Sequence, residues 1–199
     1  MAKEIIGLTG GIATGKSTVS NYLSQKYHLP IYDADIIARK AVEKDSPIWQ
    51  RIVNRYGKDI LNPDGDLNRR QLGEIIFNQL AQKQWLEQQI HPFVRDYFTN
   101  SIAQTNEPLI VLVIPLLFEV KMTDFVTQIW VVSCSLEQEI DRLVKRNNLT
   151  ITEAKTRINS QIPLAQKVAQ ADFVLDNQGS LENLYSQIDR KIQKEMQNA

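Results

Sequence analysis

The chain has 199 residues, 43% of them apolar and 23% charged, with 23 Lys plus Arg balanced by 23 Asp plus Glu. This composition fits a folded globular protein with one substantial domain, and the zero net charge speaks against a broad basic face for duplex nucleic acid. The single cysteine, Cys134, excludes an internal disulfide framework. No stretch reads as a signal peptide or is apolar for long enough to span a bilayer.

In chain order, Lys3 to Thr9 is a short apolar segment that reads as a buried strand. It leads into Gly10-Gly11-Ile12-Ala13-Thr14-Gly15-Lys16-Ser17, which fits G-x-x-x-x-G-K-[ST] at every fixed position. Val19, Tyr22, Leu23 and Tyr27 then recur at helical spacing. Strand, glycine loop and helix form the arrangement that phosphate binding needs. Glycines let the backbone wrap an anion, and the helix adds its free N–H groups and positive dipole end. Lys16 is placed to reach the β- and γ-phosphates of a nucleotide, and Ser17 to hold Mg²⁺.

Ile31-Tyr32 is a second short strand, followed directly by Asp33-Ala34-Asp35. Carboxylates just past the end of a strand lie where open α/β sheets bind ligands. The alternative is that the pair caps the first turn of a helix; beside a phosphate loop, Asp33 is favoured as a catalytic base. Pro47 opens another helix that Gly57 stops, and Asn62-Pro63-Asp64-Gly65 is a turn. From Arg69 to about Ala103 the pattern is helical, and Pro92 is expected to kink or divide it. Residues 47–105 are thus expected to form a helical insertion able to hold a second substrate.

Leu109 to Ile114 is the strongest strand signal, continuous enough for burial on both faces. Gln128 to Ser133 is the next strand, and Cys134 beyond it reads as a buried structural thiol. Ser135 with Gln138 and Thr150 with Glu153 form capping boxes for two consecutive helices. The first carries Arg142 and Arg146; the second carries Arg157 and Gln161 and is expected to stop near Pro163. Three arginines so placed suggest a mobile basic lid over residues 142–166, which would exclude water from a transferring phosphoryl group. Ala171 to Leu175 is the last strand and a terminal helix follows. Asp176-Asn177-Gln178-Gly179 matches D-x-x-G but follows the last strand, so it reads as a turn; N-K-x-D for guanine is absent. Five strands separated by helices give a doubly wound parallel sheet with right-handed crossovers.

Several segments in this order are more specific than the phosphate loop alone. They are Gly7-Leu8-Thr9-Gly10-Gly11-Ile12 with Gly15-Lys16-Ser17-Thr18; Asp33-Ala34-Asp35-Ile36-Ile37-Ala38; His91-Pro92 with Arg95; and Pro115-Leu116-Leu117-Phe118-Glu119. Through them the chain resembles the dephospho-coenzyme A kinase family nearly end to end. The resemblance implies a P-loop kinase fold with a helical substrate-binding insertion and a helical lid; the cytoplasm is the setting expected from the lack of a signal peptide or spanning segment. It implies transfer of the ATP γ-phosphoryl group to the ribose 3′-hydroxyl of dephospho-coenzyme A, with Mg²⁺. Asp33 would be the general base, and Lys16 and Arg142 would act at the transferring phosphate. Gly11 to Thr18, with Ala13, Thr14 and Gly15 among them, and Arg146 would bind the nucleotide. Thr9, Asp33, His91, Arg95, Leu116, Glu119 and Arg157 would serve the acceptor. No nucleic-acid, membrane or protein partner is implied.

The chain departs from the family pattern in two places. Ala13-Thr14 stands where Gly-Ser is usual, and Glu139 where Gln is usual; a carboxylate at 139 could pair with Arg142. The competing readings are another small-molecule P-loop kinase, with a nucleoside, nucleotide or sugar-acid acceptor, and a non-catalytic nucleotide switch. The acceptor used separates the first, and tolerance of Asp33→Asn the second.

Overall fold

A computed structural model describes residues 3–198. In chain order the elements are β1 (Glu4–Gly10), α1 (Lys16–Tyr27), β2 (Ile31–Asp33), α2 (Ala34–Ala41), α3 (Pro47–Tyr56), α4 (Arg69–Asn78) and α5 (Leu80–Gln104). Then follow β3 (Leu109–Val113), β4 (Gln128–Ser133), α6 (Leu136–Asn147), α7 (Ile151–Asn159), α8 (Leu164–Val168), β5 (Phe173–Asp176) and α9 (Leu181–Asn198). They divide into two compact units, one running up to Asp33 and resuming at Asn106, the other spanning Ala34–Thr105.

The first unit holds a five-stranded sheet in the order β2-β3-β1-β4-β5, every pair parallel. All five residues of β3 are buried, as its unbroken apolar run requires of a strand covered on both faces. β1 lies between β3 and β4. Chain crossovers therefore leave in opposite directions on either side of it, which opens a crevice at its carboxyl end. The core on one side joins Leu8 and Trp130 of the sheet to Val19 and Leu23 of α1 and to Leu184, Ile188 and Ile192 of α9. β5 begins at Phe173, two residues later than its apolar run suggests. Asp172 stays outside as a clasp, its amide bonded to the Ile129 carbonyl and its carboxylate to the Ile129 amide.

The second unit is helical, with a core of its own built from Ala41, Val42, Ile48, Ile52, Ile60, Leu67, Leu72 and Leu86. It starts at Ala34 rather than at 47, because α2 packs on α5. Ser46 caps α3 by accepting from the Trp49 amide, and Gly57 at φ 80° closes it with an N–H to the Val53 carbonyl. Asn62 to Gly65 forms the expected turn, closed by the Gly65 amide on the Asn62 carbonyl.

Two expectations are corrected. The long helical stretch divides at Gln79, which adopts extended backbone, and α5 continues through Pro92 instead of dividing there. Proline's fixed φ is itself helical, so the helix can continue, although Pro92 brings no N–H to the Gln88 carbonyl and its ring crowds that carbonyl. The helix carrying Arg157 ends at Asn159, and Gln161 lies beyond it; Pro163 caps the next helix, α8, instead of terminating α7. Both capping boxes are present, Ser135 with Gln138 on α6 and Thr150 with Glu153 on α7. Among the described residues no helix is long and apolar enough to cross a membrane.

Candidate active site

Residues 11–15 form a tight loop between β1 and α1. Two of its residues have positive φ, Ala13 at 61° and Gly15 at 106°. Gly15 is required twice over. Its backbone is one that side chains rarely adopt, and a methyl there would overlap the Asn177 amide. Ala13 holds the left-handed conformation without being glycine, at a cost of about 1–2 kcal/mol.

Thr14 is fully buried beneath the loop. Its hydroxyl donates to the Gly11 carbonyl at 3.0 Å. Its own carbonyl accepts from Asn177 Nδ2 at 2.7 Å and from Arg142 at 3.4 Å. Arg142 also donates to the Asn177 carbonyl at 2.9 Å. The guanidinium thus ties α6, the loop after β5 and the phosphate loop together. Asn177 is buried and joins this clasp, although by its local chemistry it reads as a turn residue. Lys16 begins α1 and folds its ammonium back on the loop, donating to the carbonyls of Gly11 at 2.6 Å and Gly10 at 3.3 Å. Those carbonyls hold the ammonium within the loop itself. Ser17 and Thr18 follow on the first turn of α1, with Ser17 exposed.

The other expected residues fall into separate groups. Asp33 is the last residue of β2, paired in register with Val113 of β3. The strand therefore takes Asp33 and the helix takes Asp35, which sits in the first turn of α2. Thr9, near the end of β1, is fully buried and donates to the Pro115 carbonyl at 3.2 Å. Half-buried Leu116 is next in the turn after β3. Glu119 accepts from the Ile162 amide at 3.1 Å and pairs with Lys167 at 2.8 Å. Lys167 is completely buried and also donates to the Pro115 carbonyl. Nothing in the sequence singled out Lys167, because a lysine is normally solvated. Its pairing joins α8 to the turn that carries Leu116.

Of the three arginines, only Arg142 reaches the phosphate loop. Arg146 is exposed and bonds to Asn147, and Arg157 is exposed on α7. His91 and Arg95 belong to the helical unit, four residues apart on one face of α5. The pairing of Glu139 with Arg142 does not occur, since the guanidinium is committed to two backbone carbonyls. Glu139 instead lies buried, its Oε1 without a hydrogen-bond partner. Burial pushes its carboxyl above the usual range, against the pull of Lys16 and Lys167. Burial likewise pushes the neighbouring Cys134 thiol up to about 11, which makes it the inert structural thiol expected.

Beside the loop is a cavity of about 740 Å³, lined by Gly11, Ile12, Cys134 and Glu139 and, from the chain between α7 and α8, Gln161 and Ile162. The arrangement can wrap an anion in loop amides, neutralise it with Lys16, and present a carboxylate at the end of a nearby strand.

The family model for dephospho-CoA kinase matches residues 4–183. The chain is 58% identical over 196 residues to the dephospho-CoA kinase of Trichormus variabilis, covering 98% of this chain and all of that one. Among solved structures, a Thermus thermophilus protein superposes with a TM-score of 0.83 at 30% identity, covering 98% of each chain. The dephospho-CoA kinase of Campylobacter jejuni superposes with a TM-score of 0.72 at 28% identity, covering 96% of each. A phosphate loop at the switch point of a parallel sheet, matched over nearly its whole length by these proteins, places the chain in the dephospho-CoA kinase family.

Proposed function

We propose that the chain transfers the γ-phosphoryl group of ATP to the ribose 3′-hydroxyl of dephospho-coenzyme A. The observation that carries this reading is the phosphate loop, with Lys16 already turned into it, in a chain of this family. Asp33 takes the proton of the acceptor hydroxyl as its oxygen attacks the γ-phosphorus, and the bond to the β-phosphate oxygen breaks to release ADP. Lys16 leaves the loop carbonyls for the phosphates. Arg142 steadies the loop and, with Arg146 and Arg157 on the helices of a closing lid, contributes positive charge at the transferring group. Residues 142–166 form that lid in this reading, and the helical unit with His91 and Arg95 receives the acceptor along with Thr9, Leu116 and Glu119.

Ser17 fits a Mg²⁺ ligand. It is exposed on the first turn of the helix that follows the loop, and Mg²⁺ ordinarily takes one or two protein ligands plus substrate phosphates. When bound, the ion would supply charge neutralisation between phosphate oxygens. The setting proposed is the cytoplasm, in keeping with a single unpaired thiol.

The test is ADP release from Mg-ATP with dephospho-coenzyme A, and separately with nucleosides and nucleoside monophosphates, on wild type and Asp33→Asn. Turnover is expected with dephospho-coenzyme A alone. Asp33→Asn is expected to lower kcat by about 10²–10⁴-fold with ATP affinity retained. Active, ATP-binding protein that ignores dephospho-coenzyme A would overturn the acceptor assignment. An Asp33→Asn variant with full turnover would overturn the base.

A further inference from the structure

Glu139 takes no part in the reaction proposed above, yet it lies against the phosphate loop. It is 3% exposed, and Oε1 is buried without a hydrogen-bond partner. A methyl on Gly11 would overlap that oxygen, so the carboxyl rests on the loop backbone itself. The same side chain lines the cavity beside the loop.

The groups around it define its electrostatics. Lys16 at the start of α1 and Lys167 on α8 act on it as positive charges. Lys167 is already paired with Glu119, and Lys16 is held by the Gly10 and Gly11 carbonyls. The Cys134 thiol shares its surroundings and feels its charge. Arg142, on the same helix, is turned to the carbonyls of Thr14 and Asn177. An ionised carboxylate here is buried with no protein donor at Oε1, which favours the neutral acid; the lysines oppose this. Phosphates entering the loop would engage Lys16 and cancel its charge, and would add negative charge on the far side of Gly11. Both changes favour the proton.

We propose that Glu139 is a positioning residue that takes up a proton when nucleotide phosphates enter the loop, so that the neutral acid supports the loaded loop and nucleotide binding is coupled to protonation. This rests on nucleotide binding at the loop. By linkage, a proton taken up on binding makes affinity fall as pH rises. Glutamine at 139 would carry no such dependence, since it has the same shape without the titration.

The experiment is calorimetric titration of the full chain with Mg-ADP, from about pH 5 to 9, upward from the ordinary carboxyl range, in paired buffers of different ionisation enthalpy. Wild type and Glu139→Gln are compared. Wild type is expected to take up about 0.3 proton more than the variant at the pH of maximum uptake. Its Kd should then rise about twofold per pH unit relative to the variant across that window. Equal proton counts and parallel pH profiles, with tight binding in both, overturn the inference. Absence of Mg-ADP binding to folded wild type overturns the nucleotide reading and this inference with it, so the two failures are distinct. Should the variant not fold, the wild-type count decides: after correction for protons carried by Mg-ADP, uptake supports the coupling and zero at every pH overturns it.

Discussion

Gly15 and Ala13 sit two residues apart in the phosphate loop, both at positive φ, and should respond to substitution in opposite ways. Gly15→Ala must hold a strained backbone and also displace Asn177, whose amide bonds the Thr14 carbonyl. Strain of this kind costs about 1–3 kcal/mol. A lowered urea midpoint is expected, with nucleotide affinity lost as Asn177 and Arg142 are pushed off the loop. Ala13→Gly removes about 1–2 kcal/mol of left-handed strain and returns about 0.4–1 kcal/mol of freedom to the unfolded chain. Its midpoint should be unchanged or slightly raised. A midpoint lowered by Ala13→Gly would show that Ala13 makes a contact worth more than its strain. Ala13 was legible in the sequence as part of the loop, but the sign of its φ was not, because alanine carries no mark of the left-handed region.

At the scale of elements, α7 depends on its first turn. It is nine residues long, too short to be stable on propensity alone. Thr150 accepts from the Glu153 amide at 3.2 Å, and Glu153 accepts from the Thr150 amide at 2.8 Å. The backbone bond from Thr150, with its hydroxyl, holds the Glu153 carboxyl below its ordinary value. Thr150→Ala should cost about 0.5–2 kcal/mol, felt mainly as local opening. Hydrogen exchange of the α7 amides should accelerate by roughly tenfold for each 1.4 kcal/mol lost, while β3 and β4 amides keep their protection. Equal acceleration in the sheet would mean that α7 opens only with the whole unit. Such caps were readable in advance because the S/T-x-x-E/Q spacing is local chemistry. So were β3 and β4, where apolar runs leave little choice. The break at Gln79 was not readable, since no residue there forbids a helix, whereas the proline signal at 92 falls inside a continuous helix. Gln161 was likewise assigned to a helix on spacing alone, whereas the Glu119 bond to the Ile162 amide takes the chain elsewhere.

For the molecule as a whole, what the sequence left out is what the fold brings together over distance. The phosphate loop and the Asp33 strand end were legible from adjacent residues. The buried Lys167–Glu119 pair and the Arg142–Asn177–Thr14 clasp were not, since each joins segments dozens of residues apart through groups that are ordinarily solvated. The same holds where α9 closes on the helix after the loop. Asp189 accepts from Tyr22 at 2.8 Å, Tyr27 at 2.7 Å and Lys26 at 2.8 Å, and Tyr185 stacks on Tyr22 with ring centres 4.0 Å apart. Burial alone would raise the Asp189 carboxyl, but the bonds from Lys26, Tyr27 and Tyr22 outweigh it and hold it below its ordinary value. A carboxyl depressed in the folded state contributes stability above its unfolded pKa, near 3.9, and loses it as pH falls through the folded value. Tyr27 is pushed up to about 12, first by burial and then by its bond to Asp189. An acid raised in the folded state contributes fully below its unfolded pKa, near 10, and loses that contribution as pH rises through the folded value. Asp189→Asn should therefore lower the urea midpoint at pH 7. The gap to wild type should shrink as pH falls below about 3.9 and through the folded carboxyl's lower value, where both chains come to carry a neutral group at 189, and narrow between about pH 10 and 12, the span from the unfolded to the folded tyrosine. A gap that stays constant across this range would mean that Asp189 holds α9 by shape alone, and that its charge contributes nothing to closing the unit.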